Sequence, residues 1–343
     1  MRNIGTTKIK AIGIGGAGSN AISRIFNNPI HGIEYITINT DLQDLQNNNA
    51  PIRVLIGNST NEGNGLGGDY DKAKSCFEKD SQIIHENIKD ADLVFLVSGM
   101  GGGTGTGGTP VTAKIAKRCG AVVISVVTTP FEFEGIKRFQ MSKKGIFELE
   151  KHSDILIDIP NDKLLMNSNK KDTLQANFKK ADETIDQSIR SIAELIVVPG
   201  EINLDFADIK TVIQNGGSGR ICSGYGYGEN KVDDSIKSAL YNPLLDGSIN
   251  GATKIIFNVT GGDDMKIGDV YNISSSLRSL TDNNAEIIFG TKIDPIMENE
   301  ISITLVATGF PKNQEKYKQK FIYQKNNTSK RKKIFEKLSA IIS

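Results

Sequence analysis

"SGMGGGTGTGG", Ser98–Gly108, holds seven glycines in eleven residues, yet it directly follows the apolar run "ADLVFLV" and directly precedes "TPVTAKIAKRCG". Glycine reaches positive φ without penalty and has no side chain to keep a ligand away. Glycines between a buried strand and a helix can therefore aim successive backbone N–H groups at an anion. The N-terminus of the following helix adds its partial positive charge. A flexible linker does not occupy such a position. A second stretch, "IGIGGAGSN", Ile12–Asn20, again closes a strand and opens a helix. Alone it matches GxGxxG at Gly13, Gly15 and Gly18, a dinucleotide-type fingerprint. Two phosphate-type loops at two strand ends are more informative than one. The P-loop solution is excluded, because the chain contains no Gly-Lys dipeptide.

Outward from these loops the chain alternates. Between Lys8 and Thr129, "KIKAIGIGG", "IEYITINT", "DLVFLVSG" and "AVVISVVTT" read as strands, and "NAISRIFNN", "DYDKAKSCFEKDSQIIHENI" and "PVTAKIAKRCG" as helices. Unbroken apolar strands separated by helices predict an α/β fold with a doubly wound parallel sheet, its ligand at the carboxyl ends of the strands. In "LQANFKKADETIDQSIRSIAELIVV" the residues Leu174, Phe178, Ala181, Ile185, Ile189, Ile192 and Ile196 recur at steps of three and four, which predicts one long amphipathic helix stopped by Pro199-Gly200. Beyond it, "KIIFNVTGG", "AEIIFGTKI" and "ISITLVATGF" read as strands, with helical stretches around "DDSIKSALYNPLL" and "IGDVYNISSSLRSL". The expected organisation is a Rossmann-like nucleotide-binding domain at 8–172, a central helix at 173–199, a smaller α+β domain at 200–310 and a basic tail at 311–343.

An apolar content of 38% and a charged content of 24% are those of an ordinary globular chain. No apolar run approaches the roughly 18 to 20 residues that span a bilayer. The opening "MRNIGTTKIKAIGIGG" has the pattern of neither a signal nor a transit peptide, so a cytoplasmic location is expected. Cys76, Cys119 and Cys222 show no metal or disulfide spacing, and His31, His85 and His152 are equally scattered. The net charge of +1 hides an asymmetry: residues 311–343 carry +8 and the body −7. No nucleic-acid partner is expected for such a body.

The chain also carries a resemblance. "GGGTGTG" at Gly101–Gly107 is the signature of the tubulin superfamily. With "GIGGAGSN" (Gly13–Asn20), "NTD" (Asn39–Asp41), "PFEFEGIKR" (Pro130–Arg138), "IPNDKLL" (Ile159–Leu165) and "NLDFADIKTV" (Asn203–Val212), the chain resembles the bacterial FtsZ family from about Lys8 to Phe310. The resemblance implies GTP/GDP as the nucleotide, with Mg²⁺ held mainly by its phosphates and no direct protein ligand. It places Gly16, Ala17, Gly18, Ser19 and Asn20 on the α- and β-phosphates, and Gly101, Gly102, Gly103, Thr104, Gly105, Thr106 and Gly107 around the β- and γ-phosphates. Gly67 and Gly68 would sense the γ-phosphate, although "GGDY" here departs from the family's Ala-Asn-Pro ending. Thr129 and Pro130 are among the implied nucleotide contacts, Glu134 and Arg138 fall at the ribose end, Asn161 and Asp182 at the guanine edge, and Phe178 over the base. Glu134 and Arg138 also read as an i, i+4 surface ion pair, Phe178 as a core residue, and Asp182 as part of a solvated helix face.

The same resemblance makes Asp205, Asp208 and Asn203 the catalytic set. Some 16 helical residues separate Asp182 from Pro199, about 25 Å. The two carboxylates therefore fall short of the phosphates of their own chain and would act in trans, on the neighbour in a head-to-tail homopolymer. Helix capping is the plainer reading of Asp205. The implied activity is a GTPase switched on by polymerisation in a division-ring filament; a tubulin-like filament for DNA segregation or organelle constriction carries the same nucleotide motifs. A dinucleotide oxidoreductase lacks any evident hydride-transfer acid or base. The family's usual adaptor-binding terminal peptide is missing, and "SKRKKIFEKLSAIIS" instead sets Ile334, Phe335, Leu338, Ile341 and Ile342 behind four basic residues. An amphipathic segment at 330–343 for a membrane surface or an adaptor is the expectation there.

Overall fold

The computed structural model describes residues 7–166, 173–197, 201–202, 205–240, 249–282 and 284–310. Asn203, the tail 311–343 and its expected terminal segment at 330–343 lie outside the described residues.

Seven strands form one parallel sheet: β1 (Ile9–Ile14), β2 (Ile33–Asn39), β3 (Ile52–Leu55), β4 (Leu93–Gly99), β5 (Val122–Thr129), β6 (Ile155–Pro160) and β7 (Gly217–Ser218). Their spatial order is β3-β2-β1-β4-β5-β6-β7, so the winding reverses between β1 and β4. These two strands pair in register from Ile9 opposite Leu93 to Ile14 opposite Ser98. Both glycine stretches consequently leave neighbouring strands at the switch point, the ligand position of a doubly wound sheet. Buried aliphatic and aromatic residues on both faces, among them Ile12, Ile14, Phe95, Leu96, Ile124 and Val126, are what such a sheet requires.

The helices flanking this sheet are α1 (Gly15–Ile25), α2 (Leu42–Gln46), α3 (Asn58–Asn61), α4 (Tyr70–Lys79), α5 (Ser81–Ile88), α6 (Gly103–Arg118), α7 (Ile136–Glu150) and α8 (Asn161–Met166). α9 (Leu174–Val197) runs on as one unbroken helix of 24 residues, about 36 Å long. Its apolar stripe is buried at Ile185, Ile189 and Ile192. α10 (Phe206–Ile213) follows and buries Ile209, Val212 and Ile213.

The smaller sheet is mixed: β8 (Arg220–Tyr227), β9 (Lys254–Gly261), β10 (Glu286–Ile293) and β11 (Glu300–Thr308), in the order β10-β9-β11-β8. β9 and β10 are parallel, and β11 is antiparallel to both β9 and β8. α11 (Lys231–Leu240) and α12 (Ile267–Leu280) complete this region. Phe257, Ile303 and Leu305 form its core with Ile273 and Leu277.

Three local readings differ from the sequence expectations. The glycine stretches are not loops: α1 begins at Gly15 and α6 at Gly103, so "GGAGSN" and "GTGTGG" are helix throughout. Close packing compensates for glycine's low helix propensity, since a Cβ at Gly107 would stand 2.5 Å from the Tyr70 carbonyl and one at Gly108 only 2.4 Å from the Phe77 ring. The helical stretch at 69–88 is two helices, broken where the Asp80 carboxylate turns away to accept from Gly57 N at 2.6 Å. The short "IRVL", "ILIDIP" and "RICSGYGY" are strands that the alternation did not mark.

Candidate nucleotide site

The carboxyl edge of the large sheet gathers most of the expected residues. α1 and α6 both start there, each with no side-chain cap and no acid in its first turn. Their first N–H groups have no intrahelical acceptor. The two helices are pressed together: a Cβ at Gly15, whose φ is +72°, would lie 2.8 Å from Gly105 N. Gly18 is held as tightly, with a Cβ there falling 2.2 Å from the Val97 carbonyl oxygen. By contrast, Gly102 is exposed and a Cβ on it would meet nothing within 4 Å. The same is true of Gly67 and Gly68, both at positive φ, in the loop before α4. Tight glycines thus build the double N-terminus, and open ones leave room in front of it.

Neighbouring strand ends close the site. Thr40, after β2, hydrogen-bonds Thr104 at 2.7 Å between hydroxyls. Asp41 caps α2 by accepting from Gln43 N and Asp44 N, and Asp44 stands beside Gly16. Asp69, where the family's Ala-Asn-Pro is replaced, caps α4 by accepting from Asp71 N and Lys72 N. Those backbone donors, Lys72 N first, hold its carboxyl below the ordinary value. Gly101, at φ +107°, packs against Pro130 and Arg138, which brings the 130–138 segment to the same place. Glu134 bonds Arg138 at 2.6 Å and accepts from Phe131 N at 3.0 Å, so the i, i+4 pair does form.

Thr129 ends β5 opposite Pro160, and Asn161 opens α8 immediately after β6. The Asn161 Oδ1 is buried without a hydrogen-bond partner, as are the hydroxyls of Ser19 and Ser98. Buried polar atoms of this kind find their partners in ordered water or in a ligand. Asp182 is partly buried and paired with Arg24 in the last turn of α1. Arg24 and Asp44 carry no role in the sequence reading, and Thr40 enters it only as part of a motif. Thr40 is the middle residue of the "NTD" motif and Asp44 lies three residues beyond it, so that motif is the available signal for both; Arg24 has none. Phe178 lies on α9, and its side chain falls outside the described residues.

Asp205 and Asp208 stand elsewhere. Val197, at the end of α9, packs on Gly32, just before β2. Asn215, just past α10, donates to Asp154, just before β6. Both anchors lie at the amino edge of the sheet. Strands of six to eight residues separate this edge from the glycine helices, about 20 Å or more. Asp205 occupies the N-cap position of α10 but makes no capping bond, and both carboxylates are exposed.

A switch-point sheet with two uncapped helix N-termini packed together has the build of a nucleotide-binding α/β protein. The family model described as "Tubulin/FtsZ family, GTPase domain" matches residues 8–169, and "FtsZ family, C-terminal domain" matches 217–311. An empty FtsZ dimer from M. jannaschii is 38% identical, with a TM-score of 0.82, covering 90% of this chain and 89% of that one. GDP-bound monomeric CetZ1 from Haloferax volcanii shares the fold at 21% identity and a TM-score of 0.77, covering 90% and 96%. GTPγS-bound protofilament CetZ2 from the same organism does so at 20% and 0.76, covering 95% and 100%. The chain belongs to the Tubulin/FtsZ family.

Proposed function

We propose that the chain binds GTP at the carboxyl edge of the sheet and hydrolyses it at the junction between successive subunits of a head-to-tail filament. The observation that carries this reading is the separation of the two halves of the site. Donors for an anion lie at one edge, and exposed, uncommitted carboxylates at the other. Two edges that cannot meet within one chain do meet when copies stack head to tail, and a contact that repeats without closing makes a filament.

In this reading the first turns of α1 and α6 bind the phosphates through backbone N–H groups, with Gly67 and Gly68 leaving space for the outermost one. Asn161 and Asp182 take the guanine edge, where a carboxylate accepts from both N1 and N2 donors. Thr129, Pro130, Glu134 and Arg138 stand at the ribose side. The neighbour's Asp205 and Asp208 orient and polarise the attacking water, and Asn203 helps to position it. When bound, Mg²⁺ supplies charge neutralisation across the β- and γ-phosphates. The carboxylates near the phosphates, Asp44 and Asp69, already accept from Asn39 and from α4 backbone N–H groups, which fits an ion held mainly by phosphate oxygens. Among the described residues no helix is long and apolar enough to cross a membrane. A cytoplasmic filament of the division site, with the tail at 330–343 meeting a membrane surface or an adaptor, completes the proposal.

The test is GTP turnover per subunit against protein concentration, with Asp208→Ala in parallel. Turnover near zero below a threshold, rising above it and lost about 100-fold in Asp208→Ala while GTP still binds, is expected. Turnover independent of concentration would place the whole site within one chain and overturn the junctional mechanism.

A further inference from the structure

Asp154 is 1% exposed and takes no part in the chemistry above. Its Oδ1 accepts from Lys117 Nζ at 2.8 Å and from Asn215 N at 3.1 Å. Its Oδ2 accepts from Lys117 Nζ at 2.9 Å and from Val123 N at 2.9 Å. The Asp154 carbonyl also accepts from Gly217 N at 2.8 Å. One residue therefore clasps the last turn of α6, the start of β5 and the exit from α10. At that exit Asn215 holds φ +58°, the left-handed conformation in which asparagine, like glycine, ends a helix. A buried carboxylate accepting four hydrogen bonds from three donor groups is satisfied and rigid, whereas a weakened one leaves donors unpaired.

The two elements joined here are those the proposed mechanism must keep in register. α6 runs 16 residues, about 24 Å, from the glycines at the nucleotide edge down to Lys117. α10 runs eight residues, about 12 Å, from the acid pair to the clasped turn. We infer that Asp154 is the positioning residue of the acid pair: by holding Lys117 and Asn215 together, it fixes where α10 presents Asp205 and Asp208 to the neighbouring subunit. The inference rests on the junctional reading of hydrolysis. The acid pair is thereby indexed to the same rigid frame as its own subunit's phosphate helices. Misplacement of a catalytic group by about 1 Å is enough to cost a large factor in rate.

The experiment compares wild type, Asp154→Asn and Lys117→Gln as full-length chains. It measures GTP affinity and melting of unassembled protein, sedimentation of filaments, and kcat per assembled subunit. Asp154→Asn is expected to keep GTP affinity and KM within twofold while kcat per assembled subunit falls about tenfold. Lys117→Gln falls about threefold, and carries the test alone should Asp154→Asn fail to fold. In mixed filaments, turnover should fall in proportion to the share of variant subunits, because each subunit's helix serves a neighbour. A kcat within twofold of wild type in both variants overturns the inference, as does a loss that merely tracks GTP affinity or melting temperature. Asp208→Ala in the same assay separates the two levels: if it retains wild-type turnover, the junctional reading itself has failed.

Discussion

At the carboxyl edge of the parallel sheet, α1 and α6 begin with no side-chain cap and no acid in their first turns, whereas at the amino edge α10 begins at Asp205 with Asp208 in its first turn. α3, α5 and α7 also begin without a side-chain cap or a first-turn acid, so what sets the carboxyl edge apart is that two such starts are pressed together at the switch point. Asp41 and Asp69 cap α2 and α4 with their own carboxylates, so donor and acceptor satisfy each other locally. The two edges each hold half of that arrangement. One has N–H groups without acids, and the other has an N-cap acid not spent on its own helix. The difference teaches where to look for a ligand and for a partner: a polyanion suits the first edge, and in the proposed filament stacking of copies would bring the acids of the second to it.

The largest expected effect would break the carboxyl edge alone. Gly18→Ala puts a methyl group 2.2 Å from the Val97 carbonyl oxygen, backbone that cannot swing aside. Overpacking of this kind costs about 3 kcal/mol. It should lower the melting temperature and abolish GTP binding together, as thermal melting with and without GTP will report. Asp208→Ala should do the reverse, because an exposed side chain with no capping role changes stability by about 0.5 kcal/mol or less. Turnover falls while melting and GTP binding stay. If both variants lose stability, the two edges do not divide binding from catalysis.

A finer contrast sets Asp69 against Asp205, two acids at the same N-cap position. Asp69→Ala removes two hydrogen bonds to the α4 N-terminus and should lower the melting temperature by about 2 °C at pH 7. Asp205→Ala removes none and should leave melting unchanged while slowing turnover. The pH dependence has a definite sign. The folded-state pKa of Asp69 is depressed, chiefly by Lys72 N, so its contribution is full above the unfolded carboxyl value near about 4 and fades as pH falls through the folded one. The melting difference between wild type and Asp69→Ala should therefore narrow in acid. A difference that persists undiminished at low pH would mean that Asp69 acts through packing and not as a charged cap.

How much of this was legible in the sequence depended on what each segment packs against. β1, β4 and β5 declare themselves as apolar runs because both faces of a parallel strand are covered. β8 did not, since "SGYGY" puts glycines at Gly224 and Gly226. The structure gives their reason: α11 lies so close that a Cβ at either would fall 1.9 Å from the carbonyl oxygen of Ser235 or Lys231. β3 escaped notice by its four-residue length. In the site, the glycine spacing pointed to phosphate, but it could not separate glycines that seat one helix on another from glycines left open. Nor could spacing reveal whether the Asp205 carboxylate caps its helix. That is a matter of rotamer and packing, which local sequence does not encode.

The smallest expected effect concerns Arg138, where a surface pair and a site residue coincide. Arg138 is over half exposed, with side-chain exposure of 57%, and bonds Glu134 one helical turn away, which makes a stability contribution of about 0.3–0.5 kcal/mol the expectation for the pair. Yet its main chain packs on Gly101, and Glu134 also accepts from Phe131 N. The guanidinium thus stands on a segment fixed to the phosphate helices. If it belongs to the nucleotide site, Arg138→Ala should weaken GTP binding about threefold, with the loss shrinking as salt is raised, and leave melting nearly unchanged. Binding of the triphosphate unchanged at low and high salt would reduce the pair to a surface contact. The carboxyl edge would then bind its anion through backbone donors alone, which would sharpen the contrast with an amino edge that offers only side-chain acids.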